Sequence, residues 1–206
     1  MRKMLMCAAV AASLAGVSLS GMASDSNGQA FVSGSVGQSK YHDGSLQDNT
    51  DTGAAVYLGY RWSPEQRFWI GPELGVVDFG KLSQNYHTDW GNGLTSDSHA
   101  TVKSRAALLG VNMKWNLGDQ MFLVVHGGVD RVRISSDLRI TSNFGLDISE
   151  RGHVSDNSWY AGATFGYDFN RSFGIGLTYD NYNVRSDFND GSRNISVIGV
   201  TGEYRF

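Results

Sequence analysis

Arg61, Glu73, Lys114, His126, Asp168, Asp180, Glu203 and Arg205 are the residues best placed to do chemistry in this sequence. Each sits within or beside a segment whose apolar side chains recur at every second position. A charge held in such surroundings is costly unless it is paired and hydrogen-bonded. The pattern therefore predicts an enclosed network of ion pairs. The same set would permit a second chemistry, a salt bridge that switches partners to let small solutes through, provided a continuous polar path exists. His126, between Val124 and Gly128, reads as a hydrogen-bonded interior histidine rather than a ligand or catalyst.

Other candidate chemistries find less support. His42, His87, His99 and His153 lie in polar stretches near Asp43, Asp89, Asp97 and Asp156, without the fixed spacing of a metal site. They read as solvated, and no metal or cofactor is expected. The string Gly34-Ser35-Val36-Gly37-Gln38-Ser39-Lys40 fails as a phosphate-binding loop, which needs Gly before the Lys and Ser or Thr after it; here these are Ser39 and Tyr41. A hydrolase would need a nucleophile, a base and an orienting acid brought together. Ser and His are frequent in the polar stretches, but no spacing singles out a set, and no enzyme activity is expected.

The elements that must position these residues are strands. Arg2 and Lys3, an apolar run from Met4 to about Leu19 and the small residues Ser20-Gly21-Met22-Ala23 form a secretory signal peptide over residues 1–23, which leaves 24–206 as one domain. Cys7 lies in the leader, so the exported chain is expected to have neither disulfide nor thiolate site. Loss of Arg2 and Lys3 moves the formal charge from -3 to -5, which disfavours nucleic acid as a partner. No stretch is long and apolar enough for a membrane helix.

Period-2 alternation predicts eight strands at about 29–39, 53–62, 68–79, 103–116, 121–134, 158–169, 173–184 and 195–206. Brief turns join the second to the third, the fourth to the fifth and the sixth to the seventh. Long polar loops are expected at about 40–52, 80–102, 135–157 and 185–194. Short turns on one rim and long loops on the other fit a membrane barrel with its turns and both termini in the periplasm.

In the last strand Ile198, Val200, Tyr204 and Phe206 alternate with Val197, Thr201, Glu203 and Arg205, and the fourth and seventh strands repeat the contrast. Alternation alone does not say whether the apolar face points inward, as in a lipocalin, or into lipid. Lipid is favoured on three grounds. Trp62, Phe68, Trp115, Phe169, Phe173, Tyr204 and Phe206 gather at the short-turn rim like an interfacial girdle. The opposite face is small or charged, as a narrow lumen requires. A closed barrel also pairs every backbone group.

With these residues in place, the runs Phe31-Val32-Ser33-Gly34-Ser35-Val36-Gly37-Gln38-Ser39, Leu58-Gly59-Tyr60-Arg61-Trp62, Glu73-Leu74-Gly75-Val76-Val77-Asp78-Phe79-Gly80-Lys81 and Gly202-Glu203-Tyr204-Arg205-Phe206 resemble the OmpA-like transmembrane barrel. They are also similar to the OmpX/Ail and opacity-type group. The resemblance implies an all-β, eight-stranded antiparallel up-and-down barrel in the outer membrane. It implies that Ile198, Val200, Tyr204 and Phe206 form the signal read by the outer-membrane assembly machinery. It further implies a non-enzymatic structural or adhesin-like role, with outer-membrane lipid and lipopolysaccharide around the barrel and host or phage surface ligands at the loops. A chain ending at Phe206 is expected to have no peptidoglycan-binding domain. The alternatives are a narrow OmpW-like channel for small or apolar solutes and an enzyme acting on lipid A. Isolated residues in the polar stretches (Leu46, Tyr86, Trp90, Leu94, Phe144) could form a recognition surface or simply pack locally.

Overall fold

The computed structural model describes residues 28–41, 50–91, 94–143, 147–185 and 192–206. The leader expected over 1–23, with Cys7, lies outside these residues, as do His42, Leu46 and Phe144. Alternating sequence becomes strand throughout: β1 (Gly28–Tyr41), β2 (Thr50–Glu65), β3 (Phe68–Gly91), β4 (Leu94–Asn116), β5 (Met121–Ser142), β6 (Asp147–Asp168), β7 (Phe173–Arg185) and β8 (Ser192–Arg205). Each strand pairs antiparallel with its chain neighbours, and β8 returns to β1 to close a barrel. Closure leaves no open sheet edge in the barrel wall, the condition for placing strands in hydrocarbon.

The pleat sorts side chains as the alternation requires. In β7, Phe173, Ile175, Leu177 and Tyr179 point outward while Gly174, Gly176, Thr178 and Asp180 are buried; Leu177 is 68% exposed. In β8, Ile198, Val200 and Tyr204 are exposed, as is Phe206 just after it, while Val197, Thr201, Glu203 and Arg205 are buried. A continuous band of exposed Leu, Val, Ile and aromatic side chains is not stable against water, and lipid must cover it. Trp62, Phe169, Phe173, Tyr204 and Phe206 are exposed at the short-turn rim, where Tyr204 and Phe206 meet edge to face at 5.0 Å and Phe68 tilts against Trp115 at the same distance.

The short-turn rim is tied by local bonds. The Leu117 N–H donates to the Met121 carbonyl at 2.8 Å, and Asn170 Oδ1 accepts from the Ser172 and Phe173 N–H groups at 2.8 Å each. Asn here supplies the turn bond with its own side chain.

The opposite rim differs from expectation. The described residues of 80–102 and 135–157 are not long loops. They continue β3–β4 as a ladder to Gly91 opposite Leu94, and β5–β6 to Thr141 opposite Asp147. β4 and β5 stay paired out to Ser96 opposite Ser142. The ladders to the flanking strands stop earlier, β2–β3 at Ala54 opposite Asp78 and β6–β7 at Trp159 opposite Asn183. A four-stranded sheet therefore stands beyond the barrel wall, its strands 22 to 24 residues long where about 9–11 suffice to cross a bilayer. Once both faces leave lipid, the apolar-polar contrast fades while the backbone keeps pairing, so hydropathy stops short of the true strand ends. The change is marked in β3 by a register shift between Asp78 and Lys81 at Gly80, whose φ is +88°. A Cβ on Gly80 would lie 2.6 Å from Asp51 Oδ2, so a side chain is excluded there on two counts.

Candidate functional site

The interior is divided along the barrel axis. In the half nearer the short turns, β2, β4, β6 and β8 aim charged side chains inward. Arg61 Nη2 donates to Glu203 Oε2 at 2.7 Å and Arg61 Nε to Asn112 Oδ1 at 2.7 Å. Lys114 Nζ reaches Asp168 Oδ2 at 3.0 Å and Glu203 Oε1 at 3.3 Å. Arg205 Nη1 lies 2.8 Å from Asp168 Oδ1 and 3.4 Å from Glu203 Oε1. Two carboxylates thus serve three cations, and the surplus is met partly by rings: the Arg61 guanidinium sits 3.7 Å above Phe31 and Lys114 Nζ 4.1 Å above Phe122.

A second cluster follows. His126 Nδ1 is 2.8 Å from Glu73 Oε1 and His126 Nε2 is 2.8 Å from Asp180 Oδ1. The Tyr160 hydroxyl donates to Glu73 Oε1 at 2.8 Å, and Thr178 Oγ1 approaches Asp180 Oδ1 at 3.3 Å. Asn112 joins the clusters, because its amide nitrogen donates to Glu73 Oε2 at 2.8 Å while its oxygen accepts from Arg61. The eight residues singled out from sequence are brought together in one chain of contacts running from Arg205 to Asp180. All are buried except Asp168, which is partly exposed. A void of about 20 Å³ beside Ser33, Ser35, Thr164 and Thr201 has room for roughly one water.

Sequence reasoning missed Asn112 and Tyr160. Asn112 was legible in principle, since it shares the inward face of β4 with Lys114 two residues on. Tyr160 carried no such signal, because a phenol reads equally as core or girdle. Asp130 was missed too. It is buried on the inward face of β5, and neither carboxylate oxygen has a hydrogen-bond partner among the described residues.

Towards the long hairpins the interior becomes apolar. Tyr57, Val77, Phe79, Leu108, Val132, Tyr160, Tyr182, Ile195 and Val197 form one cluster across the lumen, with Tyr57 and Tyr182 hydroxyls 2.8 Å apart. Among the described residues, no group of three or more His, Asp or Glu side chains is placed to hold a metal ion.

The histidines of the hairpins are solvent-facing. His87 Nδ1 lies 2.6 Å from Asp97 Oδ1 across the β3–β4 ladder, and that hydrogen bond and charge raise the imidazole above its ordinary value of 6.5. His99 pairs with Asn85, and His153 Nδ1 lies 3.2 Å from Ser135 Oγ. Tyr86 is exposed.

Comparison with known proteins agrees with this geometry. No curated protein matches the sequence. Among solved structures, the outer membrane protein OprG from Pseudomonas aeruginosa superposes with a TM-score of 0.50 at 11% identity, covering 87% of this chain and 96% of that one. The attachment invasion locus protein Ail of Yersinia pestis gives 0.49 at 13% identity over 87% and 99%, and the Neisserial surface protein A gives 0.47 at 8% identity over 86% and 97%. At such identities the likeness is one of fold. The family model for the outer membrane protein beta-barrel domain matches residues 9–206. The chain belongs to the outer membrane protein beta-barrel family.

Proposed function

We propose that the protein is a structural or surface-interaction barrel of the bacterial envelope, adhesin-like and without catalytic activity. In this reading it is exported through the leader over 1–23, its short turns and both termini face the periplasm, and the extended hairpins face outside. The observation that carries the reading is the continuation of β3–β6 well past the apolar band. A membrane anchor needs no such sheet, whereas a surface that meets partners in the medium does. Beyond the barrel wall its outer strands, β3 and β6, are unpaired on one side among the described residues, and such edges and polar faces can accept another molecule.

The interior supports an occupied lumen rather than a pore. Paired charges occupy one half and apolar side chains the other, so an ion would meet Phe79, Val132 and Tyr182 on its way through. The assembly machinery is proposed to read Ile198, Val200, Tyr204 and Phe206, four outward side chains at every second or fourth position of the strand that closes the barrel.

The test compares the full chain with a variant in which residues 84–100 and 136–154 are replaced by short turns. Both should stay folded in cold SDS and shift on boiling. Cells displaying the full chain should bind host-cell surfaces or phage, and the trimmed variant should lose that binding. Stable single-channel steps from the full chain in planar bilayers, abolished by substitutions that fill the lumen, would support the narrow channel instead. Altered lipid A after incubation with purified protein would support the enzyme.

A further inference from the structure

Where β5 and β6 leave the barrel wall, their inward face gathers oxygen atoms that the protein does not pair. Asp130 stands directly opposite Ser158, and Asp156 stands opposite Val132 in the next inward row. Strand partners lie about 4.5–5.5 Å apart and their diagonals about 7–8 Å, so the three polar side chains share one spot. Asp130 is 3% exposed, and neither of its oxygens has a hydrogen-bond partner among the described residues. Asp156 Oδ2 and Ser158 Oγ are buried and unpartnered in the same way. The other Asp156 oxygen accepts the Asn157 N–H at 2.8 Å, which holds the carboxylate in place. The inward neighbours bring no positive charge. They are Leu108 opposite Asp130, Ala106 opposite Val132, and Tyr160 next along β6, whose hydroxyl is taken by Glu73. Arg105, Arg131 and Arg133 are exposed on the other face of the sheet.

Two carboxylates set side by side among apolar neighbours repel one another and lose hydration, and a cation between them offsets both costs. The donors decide which cation. They are all oxygens, two of them on the buried Asp130, with no imidazole or thiolate to favour a softer metal. We propose that Asp130, Asp156 and Ser158 form a binding site for a hard divalent cation of the calcium type. Such an ion takes about 6–8 oxygens at about 2.3–2.6 Å. The three side chains offer four, and water completes the shell from the side where Asp156 and Ser158 are only half-buried. The position gives the ion a mechanical role. The β6–β7 ladder ends at Trp159 opposite Asn183, so Ser158 and Asp156 are the first inward positions of β6 past its last partner on β7. An ion that ties β6 to Asp130 of β5 there steadies the base of the hairpin just where the wall stops supporting it.

The experiment takes the full chain folded in uncharged detergent micelles, strips it with chelator and titrates it with calcium chloride by calorimetry, reading the temperature of the gel-shift transition in parallel. About one calcium per chain should bind, with a Kd of about 10⁻⁴–10⁻³ M as in extracellular calcium modules, and the transition should move up. Asp130→Asn and Asp156→Asn should each weaken binding at least about tenfold, because each removes one of the two charges that hold the ion. Ser158→Ala should weaken it severalfold. Asp137→Asn/Asp147→Asn, on the exposed part of the hairpin, should leave it unchanged. In chelator Asp130→Asn sheds a desolvation cost and should keep its gel shift, so its loss of binding is not a loss of fold. No saturable binding in the millimolar range, or full binding retained in the Asp130 and Asp156 variants, overturns the site and leaves adventitious ions only. Micelles impose no orientation, so the result stands apart from which side of the membrane the hairpins face.

Discussion

Glu203 is the residue on which the interior charges converge, since Arg61, Lys114 and Arg205 all lie within 3.4 Å of its oxygens. Replacing both partners of a buried pair is often nearly neutral, but deleting one partner strands the other in low dielectric. Glu203→Gln leaves Asp168 as the carboxylate of Lys114 and Arg205, and leaves Arg61 with no carboxylate partner among the described residues. We expect a loss of about 3–5 kcal/mol in urea unfolding of the vesicle-inserted barrel. Glu150→Gln, on the exposed part of β6, should change stability by less than about 0.5 kcal/mol. Asp130 presents the opposite case. Neither oxygen of its buried carboxylate has a hydrogen-bond partner among the described residues, so Asp130→Asn removes a desolvation cost without breaking an ion pair. The same unfolding measurement should show a gain of about 1 kcal/mol.

The two long hairpins, β3–β4 and β5–β6, carry their own electrostatics outside the apolar band. The His87–Asp97 contact crosses the β3–β4 ladder at a directly paired position. Because Asp97 raises His87 above its ordinary value of 6.5, the pairing is fully present below that value. It is lost as pH rises through the raised value. NMR titration of the His87 ring should give a midpoint above 6.5, and Asp97→Asn should return it to the ordinary imidazole range. An unchanged midpoint in that variant would show that Asp97 is not the cause. The barrel wall should keep its gel shift throughout this titration, because the contact lies beyond it.

At the scale of the whole molecule, closure of β1 on β8 decides whether the barrel exists. The final residue takes part: the Phe206 N–H donates to the Ala30 carbonyl at 3.1 Å, and its ring meets Tyr204 on the lipid face. Deleting Phe206 removes one backbone bond and the last outward aromatic, a small loss for a finished barrel. On the proposed reading of the C-terminal strand by the assembly machinery, a larger effect should appear earlier. We expect the truncated protein to reach the periplasm normally but to fall severalfold in the outer-membrane fraction, quantified by immunoblot of separated fractions. Unchanged membrane levels would show that Phe206 is dispensable for assembly.

The sequence by itself determined the strand number, the inward and outward faces and the identity of most interior charges. Each depends on the period-2 pleat, and a lipid-facing strand writes that pleat into every second residue. In β7 the run from Phe173 to Asp180 allows only one assignment of faces. Tertiary structure alone decided what lies across the barrel from what. The contact of His126 with Glu73 on one side and Asp180 on the other depends on barrel curvature, to which no local spacing refers. The sheet beyond the barrel wall was hidden for a related reason: the described side chains of 147–157 are largely wetted on both faces, so the hydropathy contrast that reveals a strand is absent while its hydrogen bonds remain.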